Sequence, residues 1–326
     1  MKRRSVLALP LLAGLTPLAG HAQGSYPDKP IKLIVPFASG TALDLAARLT
    51  GVGITDALKA PVIIDNRLGA SGVIGTDAVA KAPPDGYTLL FTAPAHYINQ
   101  YAFATLPFDA VKDFRPVTKV SNAQLVMVVG KDSPFSNVKD VITFAKANPR
   151  KLRYSSSGQG GTIHLAFSLF NSMAGVQIEH VPYKSGAQAL TDVMAGHVDI
   201  TFTAIATALP HGKQGSLKLF GVSGLKRSRS MPDVPTIEEA AGLPGFELTS
   251  WGGALAPHHT PDAVIERLNT AIMKMGQQPD FQEKLVSMGV EPDLLPTSAF
   301  ARQIEAEIPK WKRLTEMTGV AQSMKP

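Results

Sequence analysis

The sequence predicts an α/β protein built from two blocks of alternating strands and helices. Short runs of aliphatic and β-branched residues alternate with segments of helical period along most of the chain. Its 326 residues suffice for about two domains. Extended segments near residues 117–125 and 246–255 predict that the chain crosses between two lobes twice. A simple tandem arrangement of the two blocks is the alternative.

The first block opens with an aliphatic run that ends at Pro36 and continues in the order β-α-β-α-β. This order predicts right-handed crossovers and a largely parallel sheet with helices on both faces. The predicted strands are residues 31–35, 61–65 and 87–92, and the predicted helices are residues 41–58 and 72–80.

The second block repeats the alternation. Its predicted strands are 125–129, 152–155, 178–180, 198–203 and 217–222, and its predicted helices are 138–147, 162–173 and 187–195. An extended segment at 246–251 and two amphipathic helices at 261–275 and 298–317 follow. We expect these last helices to return to the first lobe.

Residues 1–22 have the pattern of a secretory signal peptide. Basic residues at positions 2–4 precede a mainly apolar stretch at 6–18, and the small residues Gly20 and Ala22 predict cleavage after Ala22. We therefore expect an exported, periplasmic protein. The two adjacent arginines leave open whether the route is Sec or twin-arginine export. A frayed apolar N-terminus of a cytosolic protein is the alternative.

The composition excludes several classes of protein. The chain has no cysteine, which excludes lipid attachment through cysteine, disulfide frameworks and thiolate metal sites. The formal net charge is +6, and without the three basic residues at positions 2–4 it is +3. Because no run of five like charges occurs, nucleic-acid binding lacks its electrostatic basis. The mild positive balance suits an anionic ligand, and we predict no cofactor.

Several short motifs, in order, resemble the periplasmic solute-binding component of tripartite tricarboxylate transporters, the Bug family of bacterial receptors. The matches run nearly from end to end. They are YPDKPI at 26–31, VPF at 35–37, DNRLGASG at 65–72, PDGYTLL at 84–90, VPYK at 181–184, GHVD at 196–199, PDVPT at 232–236 and WG at 251–252.

The resemblance implies a type II periplasmic-binding-protein fold, with two α/β lobes and an interlobe cleft that closes on a small carboxylate. It also implies delivery to a large and a small integral membrane transporter subunit. We expect lobe 1 to comprise residues 23–122 plus 249–326 and lobe 2 to comprise residues 123–248. We expect a monomer without enzymatic activity.

Loops that follow strands and lead into helix N-termini suit a carboxylate, because unpaired N–H groups and the positive end of the helix dipole favour an anion. The first such loop is residues 37–41, between the predicted strand 31–35 and its helix. Gly40 permits close backbone approach, and Asp44 can tether the loop by accepting N–H bonds. An ordinary capped turn is the alternative. The family more often has two prolines and two glycines at positions 38–41. The residues predicted to bind ligand here are Phe37, Ser39, Gly40, Thr41 and Asp44.

The second loop, residues 155–162, is rich in serine and glycine and can form a nest of N–H groups. A flexible, solvated turn is the alternative, and His164 is equally well explained as a packed structural histidine. The residues predicted to bind ligand here are Ser156, Ser157, Gly158, Gly160, Gly161, Thr162 and His164.

The third loop is residues 203–206, at the end of the predicted strand 198–203. Its predicted ligand-binding residues are Thr203 and Ala204. The family frequently has an acidic residue at position 203, so threonine favours a plain acid over an amino acid. Thr92 and His96, after the third strand, are also predicted to face the cleft. Phe37, Tyr97 and Trp251 are candidate apolar walls, with a core position as the alternative for each.

No arginine occurs in these loops, so we predict carboxylate capture by backbone N–H groups, hydroxyls and bridging waters. No G-x-S-x-G motif, complete dinucleotide fingerprint or phosphate-binding lysine loop is present. Two alternatives remain. One is a receptor that feeds a sensor kinase, and the other is a hydrolase that uses residues 155–157 with His164.

Overall fold

The computed structural model describes residues 26–321 and residue 323. The predicted signal peptide, residues 1–22, lies outside the described residues, so it stays a prediction. The described residues form ten strands and eleven α-helices.

The strands are β1 Ile31–Val35, β2 Val62–Asn66, β3 Thr88–Thr92, β4 Phe114–Gly130, β5 Arg153–Ser156, β6 Glu179–Pro182, β7 Ile200–Ala204, β8 Leu217–Val222, β9 Thr249–Pro257 and β10 Val290–Pro296. The helices are α1 Ala42–Leu58, α2 Val73–Ala80, α3 Ala95–Ala102, α4 Val138–Ala147, α5 Thr162–Ala174, α6 Gly186–Met194, α7 Ile205–Lys213, α8 Ile237–Ala241, α9 Asp262–Gly276, α10 Pro279–Ser287 and α11 Thr297–Met317.

The long strand β4 belongs to two groups of strands. Its first part, up to Gln124, pairs with β9 on one side and β10 on the other. Its second part, from Leu125, pairs with β7 and β8. The first strand group has the order β2-β1-β3-β9-β4-β10, and the second strand group has the order β8-β4-β7-β5-β6. One continuous strand therefore joins the two groups.

The prediction of parallel pairing is confirmed for the strands that helices connect. Strand β1 pairs parallel with β2 and β3, and β5 pairs parallel with β6 and β7. The prediction is wrong for β4 and its neighbours, which pair antiparallel. The reason is the path of the chain, because β9 brings it back alongside β4 in the opposite direction.

Strand β1 illustrates how the layers are held together. Ile31, Leu33 and Val35 lie in an apolar cluster with residues of α1 and α9. Ile34 lies in a different cluster, as expected from the alternation of side chains along a strand. Because both faces are covered, a nearly continuous aliphatic run is stable at this position.

The two strand groups also share apolar packing. One cluster contains Leu90 and Trp251 from the first group, together with Phe202 from the second group and Phe167 of α5. All four side chains are 1% exposed or less. The two groups are therefore linked by packed side chains as well as by the backbone of β4.

Within residues 26–321 and 323, no helix is both long enough and apolar enough to cross a membrane. The same residues contain no group of three or more histidine, aspartate or glutamate side chains arranged to hold a metal ion.

Candidate functional site

The loops after β1, β3, β5 and β7 all point toward the middle of β4. Strand β9 starts at Thr249, which pairs with Gln124. Strand β3 runs antiparallel to β9, toward that start, and ends at Thr92 opposite Gly253. Strand β7 ends at Ala204, which pairs with Leu125. Since β1 is parallel to β3 and β5 is parallel to β7, the four carboxyl ends face the Gln124–Leu125 junction. Ligands of open α/β sheets bind outside such strand ends.

The loop after β1 presents Ser39, Gly40 and Thr41 to solvent, whereas Phe37 is half-buried against the apolar cluster of the first strand group. Asp44 is fully buried beneath the loop. The Gly40 N–H donates to the Asp44 carboxylate at 2.8 Å. The predicted tethering role of Asp44 is therefore confirmed.

Two further side chains, neither of them predicted to belong to the site, complete this tether. Arg48 donates to Asp44 at 2.9 Å and to the Ser39 hydroxyl at 3.3 Å. Asn66 donates to the second Asp44 oxygen at 2.8 Å. Arg48 follows Asp44 by four residues in α1, a spacing that signals a helical ion pair. Asn66 comes from β2, and no local pattern connects it to the loop.

Burial is the largest influence on the Asp44 carboxyl and raises its pKa. Hydrogen bonds from Arg48, Asn66 and Gly40 outweigh burial, so the pKa lies below its usual value of 3.8. Asp44 is therefore ionised at neutral pH, and it neutralises the nearby Arg48 guanidinium.

We expect Asp44→Asn to lower the free energy of unfolding by about 2 kcal/mol at pH 7, because it weakens several charge-assisted hydrogen bonds. A carboxylate whose folded pKa is depressed stabilises the fold above its unfolded pKa and ceases to do so as the pH falls through the folded value. The difference from wild type should therefore shrink below about pH 4. Urea denaturation at several pH values measures it. Asp56→Asn, an exposed carboxylate of the same helix, is the control, and equal losses in both variants would contradict the tether.

The loop after β5 leads into a helix that no side chain caps. Helix α5 has Gly161 at its N-cap position without a side-chain hydrogen bond. Gly158 and Gly160 have φ angles of +124° and +73°, a backbone conformation that favours glycine. Ser157 and Thr162 are exposed. These features leave N–H groups of the first helical turn available to an anion.

Ser156 is fully buried, and other protein groups engage its hydroxyl. It accepts from the Gly158 N–H at 3.1 Å, donates to the Gly158 carbonyl at 3.0 Å and lies 2.6 Å from His180 Nε2. The hydroxyl therefore shapes the loop. The hydrolase alternative paired this loop with His164, whereas the structure places His180 against Ser156. A buried hydroxyl offers no approach to a substrate carbonyl.

His164 is also buried, at 6% exposure, and its Nδ1 accepts the Gly160 N–H at 3.0 Å. Its ring stacks on His180, with ring centroids 4.1 Å apart. The structure thus matches the structural alternative for His164, a packed and hydrogen-bonded histidine.

The loop after β7 resembles the loop after β5. Thr203 is 8% exposed and Ala204 is exposed. Helix α7 has Ala204 at its N-cap position, again without a side-chain hydrogen bond. Gly289, in the loop between α10 and β10, lies against the first helical turn of α7. A Cβ on Gly289 would come within 2.7 Å of the Ala206 nitrogen. The loop that leads into β10 thus touches the start of α7.

Thr92 ends β3 opposite Gly253 and is 1% exposed. The structure places His96 inside the core, where its Nε2 lies 2.8 Å from the Ala110 carbonyl and its ring packs on Phe108 and Phe114. Burial lowers the pKa of His96 to about 4. Its role as a cleft residue is therefore replaced by a core role.

The candidate apolar walls Tyr97 and Trp251 are also buried. Their ring centroids are 6.1 Å apart, and the Trp251 indole N–H donates to Glu307 at 3.0 Å. The structure thus matches the core alternative for both. The aromatic residues near β3 stabilise the fold beneath the loops.

A surface cavity of about 590 Å³ lies beside α5 and β6, the edge strand of the second strand group. Arg150, Asn171, Glu179 and His180 contribute to its lining, together with Met317 from the end of α11. None of its lining residues belongs to the loop after β5; its link to that loop is His180 of β6, which contacts Ser156.

Two joined α/β units, with strand ends and helix N-termini that face their junction, define a two-lobed solute-binding protein. Residues 46–320 match the family model described as "Tripartite tricarboxylate transporter family receptor". The chain belongs to this family, and the predicted resemblance is confirmed.

Solved structures support the same assignment. The Rhodopseudomonas palustris protein Rpa4515, solved with adipate, is 35% identical, with a TM-score of 0.76 over 91% of this chain and 99% of that chain. The periplasmic binding protein BugD is 30% identical, with a TM-score of 0.72 over 91% and 99%. MatC from R. palustris, solved with bound malate, is 28% identical, with a TM-score of 0.71 over 89% and 99%. The predicted periplasmic-binding-protein fold is confirmed.

Proposed function

We propose that this chain is a periplasmic receptor that captures a small carboxylate between two lobes and delivers it to a tripartite tricarboxylate-type membrane transporter. One observation carries the proposal. Helices α5 and α7 follow the adjacent parallel strands β5 and β7, and neither has a side-chain cap. The other helices of this region, α4, α6 and α8, are capped by Asn137, Ser185 and Thr236. Two neighbouring uncapped N-termini are suited to an anion.

We propose that lobe 1 comprises residues 23–122 plus 249–326 and that lobe 2 comprises residues 123–248. The change of partners along β4 after Gln124 supports the first boundary. The start of β9 at Thr249 supports the second. The convergence of four strand ends at this junction supports a cleft there.

We propose that the ligand contacts the exposed parts of three loops, while buried residues hold those loops in place. Asp44, Ser156 and His164 belong to the buried set, because protein groups occupy their polar atoms. Thr92 and Thr203 lie at strand ends that border the cleft. The proposed contact residues are Ser39, Gly40, Thr41, Ser157, Gly158, Gly160, Gly161, Thr162 and Ala204.

We propose a plain acid as the ligand. A dicarboxylate fits best, because one carboxylate can meet the loop after β1 and the other can meet the loops after β5 and β7. Adipate and malate, bound by the two R. palustris relatives, are both dicarboxylic acids. The uncharged Thr203 offers no carboxylate to pair with an amino group. Arg48 is close to Ser39 but already paired with Asp44, so neutral donors dominate the proposed recognition.

A thermal-shift assay of the mature protein tests the carboxylate. With adipate or malate at about 100 times its Kd, binding to the folded state adds about 2.7 kcal/mol of stability. For a protein of this size the expected rise in Tm is about 5 °C. Dimethyl adipate, which has the same carbon chain without charge, should leave Tm unchanged. A rise with esters or sugars and none with any acid would overturn the proposal.

The transport role needs a separate test, because a receptor for a sensor kinase would bind the same ligand. Deletion of this protein should abolish uptake of the acid identified in the thermal-shift assay. Unchanged uptake with loss of a transcriptional response would favour the sensor instead.

A further inference from the structure

His164 makes a hydrogen bond that depends on its protonation state. Its Nδ1 accepts the Gly160 backbone N–H at 3.0 Å, so this nitrogen carries no proton and the neutral ring holds its proton on Nε2. Gly160 has a φ of +73° and stands two residues before the first residue of α5. The contact therefore ties the ligand loop to the helix that the loop leads into.

The surroundings of His164 favour the neutral ring. His164 stacks on His180 at 4.1 Å, and His180 stacks on Tyr154 at 4.9 Å. Burial, and then the neighbouring His180, lower the pKa of His164 to about 4. Arg150 and Glu179 line the cavity beside His180 and pair with each other at 2.9 Å.

The loop is fixed at two points by groups beneath it. The Gly158 N–H donates to Ser156, and the Gly160 N–H donates to His164. Val320, from the segment after α11, covers Gly160 on another side, since a Cβ there would lie 3.2 Å from its methyl group. With the loop fixed in this way, the start of α5 stays uncapped and free to meet an anion.

We propose that His164 is a positioning residue of the ligand loop, whose neutral Nδ1 holds the Gly160 N–H so that the start of α5 is presented to the carboxylate. Protonation of this nitrogen would place two donors face to face and release the loop. The inference rests on the proposed function only for its effect on affinity. Its effect on the loop itself is independent of any ligand.

Two nearly isosteric substitutions isolate the acceptor. His164→Asn keeps an oxygen near the position of Nδ1, whereas His164→Leu keeps the size and loses the acceptor. By isothermal titration with adipate at pH 7.5, we expect His164→Leu to weaken binding about fivefold and His164→Asn to remain within about twofold of wild type. Equal affinities, or tighter binding by His164→Leu, would overturn the proposal, because a purely packing role at this buried position favours the apolar side chain.

The pH dependence gives a second test with a definite sign. The ratio of wild-type Kd to His164→Asn Kd should rise about twofold between pH 7 and pH 4, because half of the wild-type rings are then protonated. Taking the ratio removes the titration of adipate itself. A ratio that stays constant, or that falls because an imidazolium attracts the anion, would overturn the proposal.

The Gly160 amide in the unliganded protein separates this inference from the proposed function. Its hydrogen exchange, measured by NMR, should be about fivefold faster in His164→Leu than in wild type or His164→Asn. In wild type its chemical shift should titrate near pH 4. If no acid binds wild type, the proposed function fails, and these amide measurements still decide the role of His164. An exchange rate of the Gly160 amide that is the same in both variants, together with a chemical shift that does not change with pH, would overturn the proposed role of His164.

Discussion

Replacing Thr162 by proline is expected to weaken carboxylate binding about 10- to 100-fold while leaving the fold intact. Proline removes the N–H of the first residue of α5, and a charge-assisted hydrogen bond to that group contributes about 1.5–3 kcal/mol. Proline is well tolerated at the first position of a helix. Gly161, with φ −70° and ψ 163°, already has the conformation required before proline. Isothermal titration with the acid found by thermal shift measures the loss.

Thr162→Ala is the matched control, because it removes the exposed hydroxyl and keeps the N–H. We expect its affinity to stay within about threefold of wild type. If the proline variant binds as tightly as the alanine variant, the start of α5 is not part of the site. An unchanged urea midpoint for both variants would show that any loss arises in binding.

Replacing Glu307 by leucine is expected to lower the free energy of unfolding by about 3 kcal/mol. One Glu307 oxygen accepts from the indole N–H groups of Trp251 and Trp311, at 3.0 and 3.2 Å. Both tryptophans are at most 2% exposed. Each buried donor left without a partner costs about 1–3 kcal/mol. Chemical denaturation followed by tryptophan fluorescence measures the loss.

Two controls separate the acceptor from the charge and from the helix surface. Glu307→Gln keeps one oxygen acceptor and should cost about 1 kcal/mol. Glu305→Leu changes an exposed glutamate of the same helix and should stay within about 0.5 kcal/mol of wild type. Equal losses for Glu307→Leu and Glu305→Leu would show that the indole contacts do not stabilise the protein.

Local sequence patterns predicted the strands and helices that repeat in βαβ units. They predicted an extended segment near 117–125 and a strand at 125–129, but not that these form one strand from Phe114 to Gly130 or that β10 pairs with it. β10 contains Pro292, which is unfavourable inside a sheet, and its register shifts after that residue. Antiparallel pairing between segments more than 150 residues apart leaves no local periodicity in the sequence.

For the candidate site, sequence reasoning found the loops but not the side chains beneath them. The tether from Asp44 could be predicted, because the acidic residue and the loop lie within one turn of each other. The contacts of Asn66 and His180 could not, since strands distant in sequence bring them to their loops. His96 shows the opposite error, because a residue just past a strand end turns into the core when its helix packs there.

The path of β4 also sets the order in which the two strand groups become complete along the chain. Residues 125–222 contain every strand of the second group, so that sheet can form once this stretch is complete. The first part of β4 pairs with β9 and β10, so the first strand group is complete only after their last residues, Pro257 and Pro296. The strand group that begins first along the chain is therefore the one whose last strand comes later in the sequence.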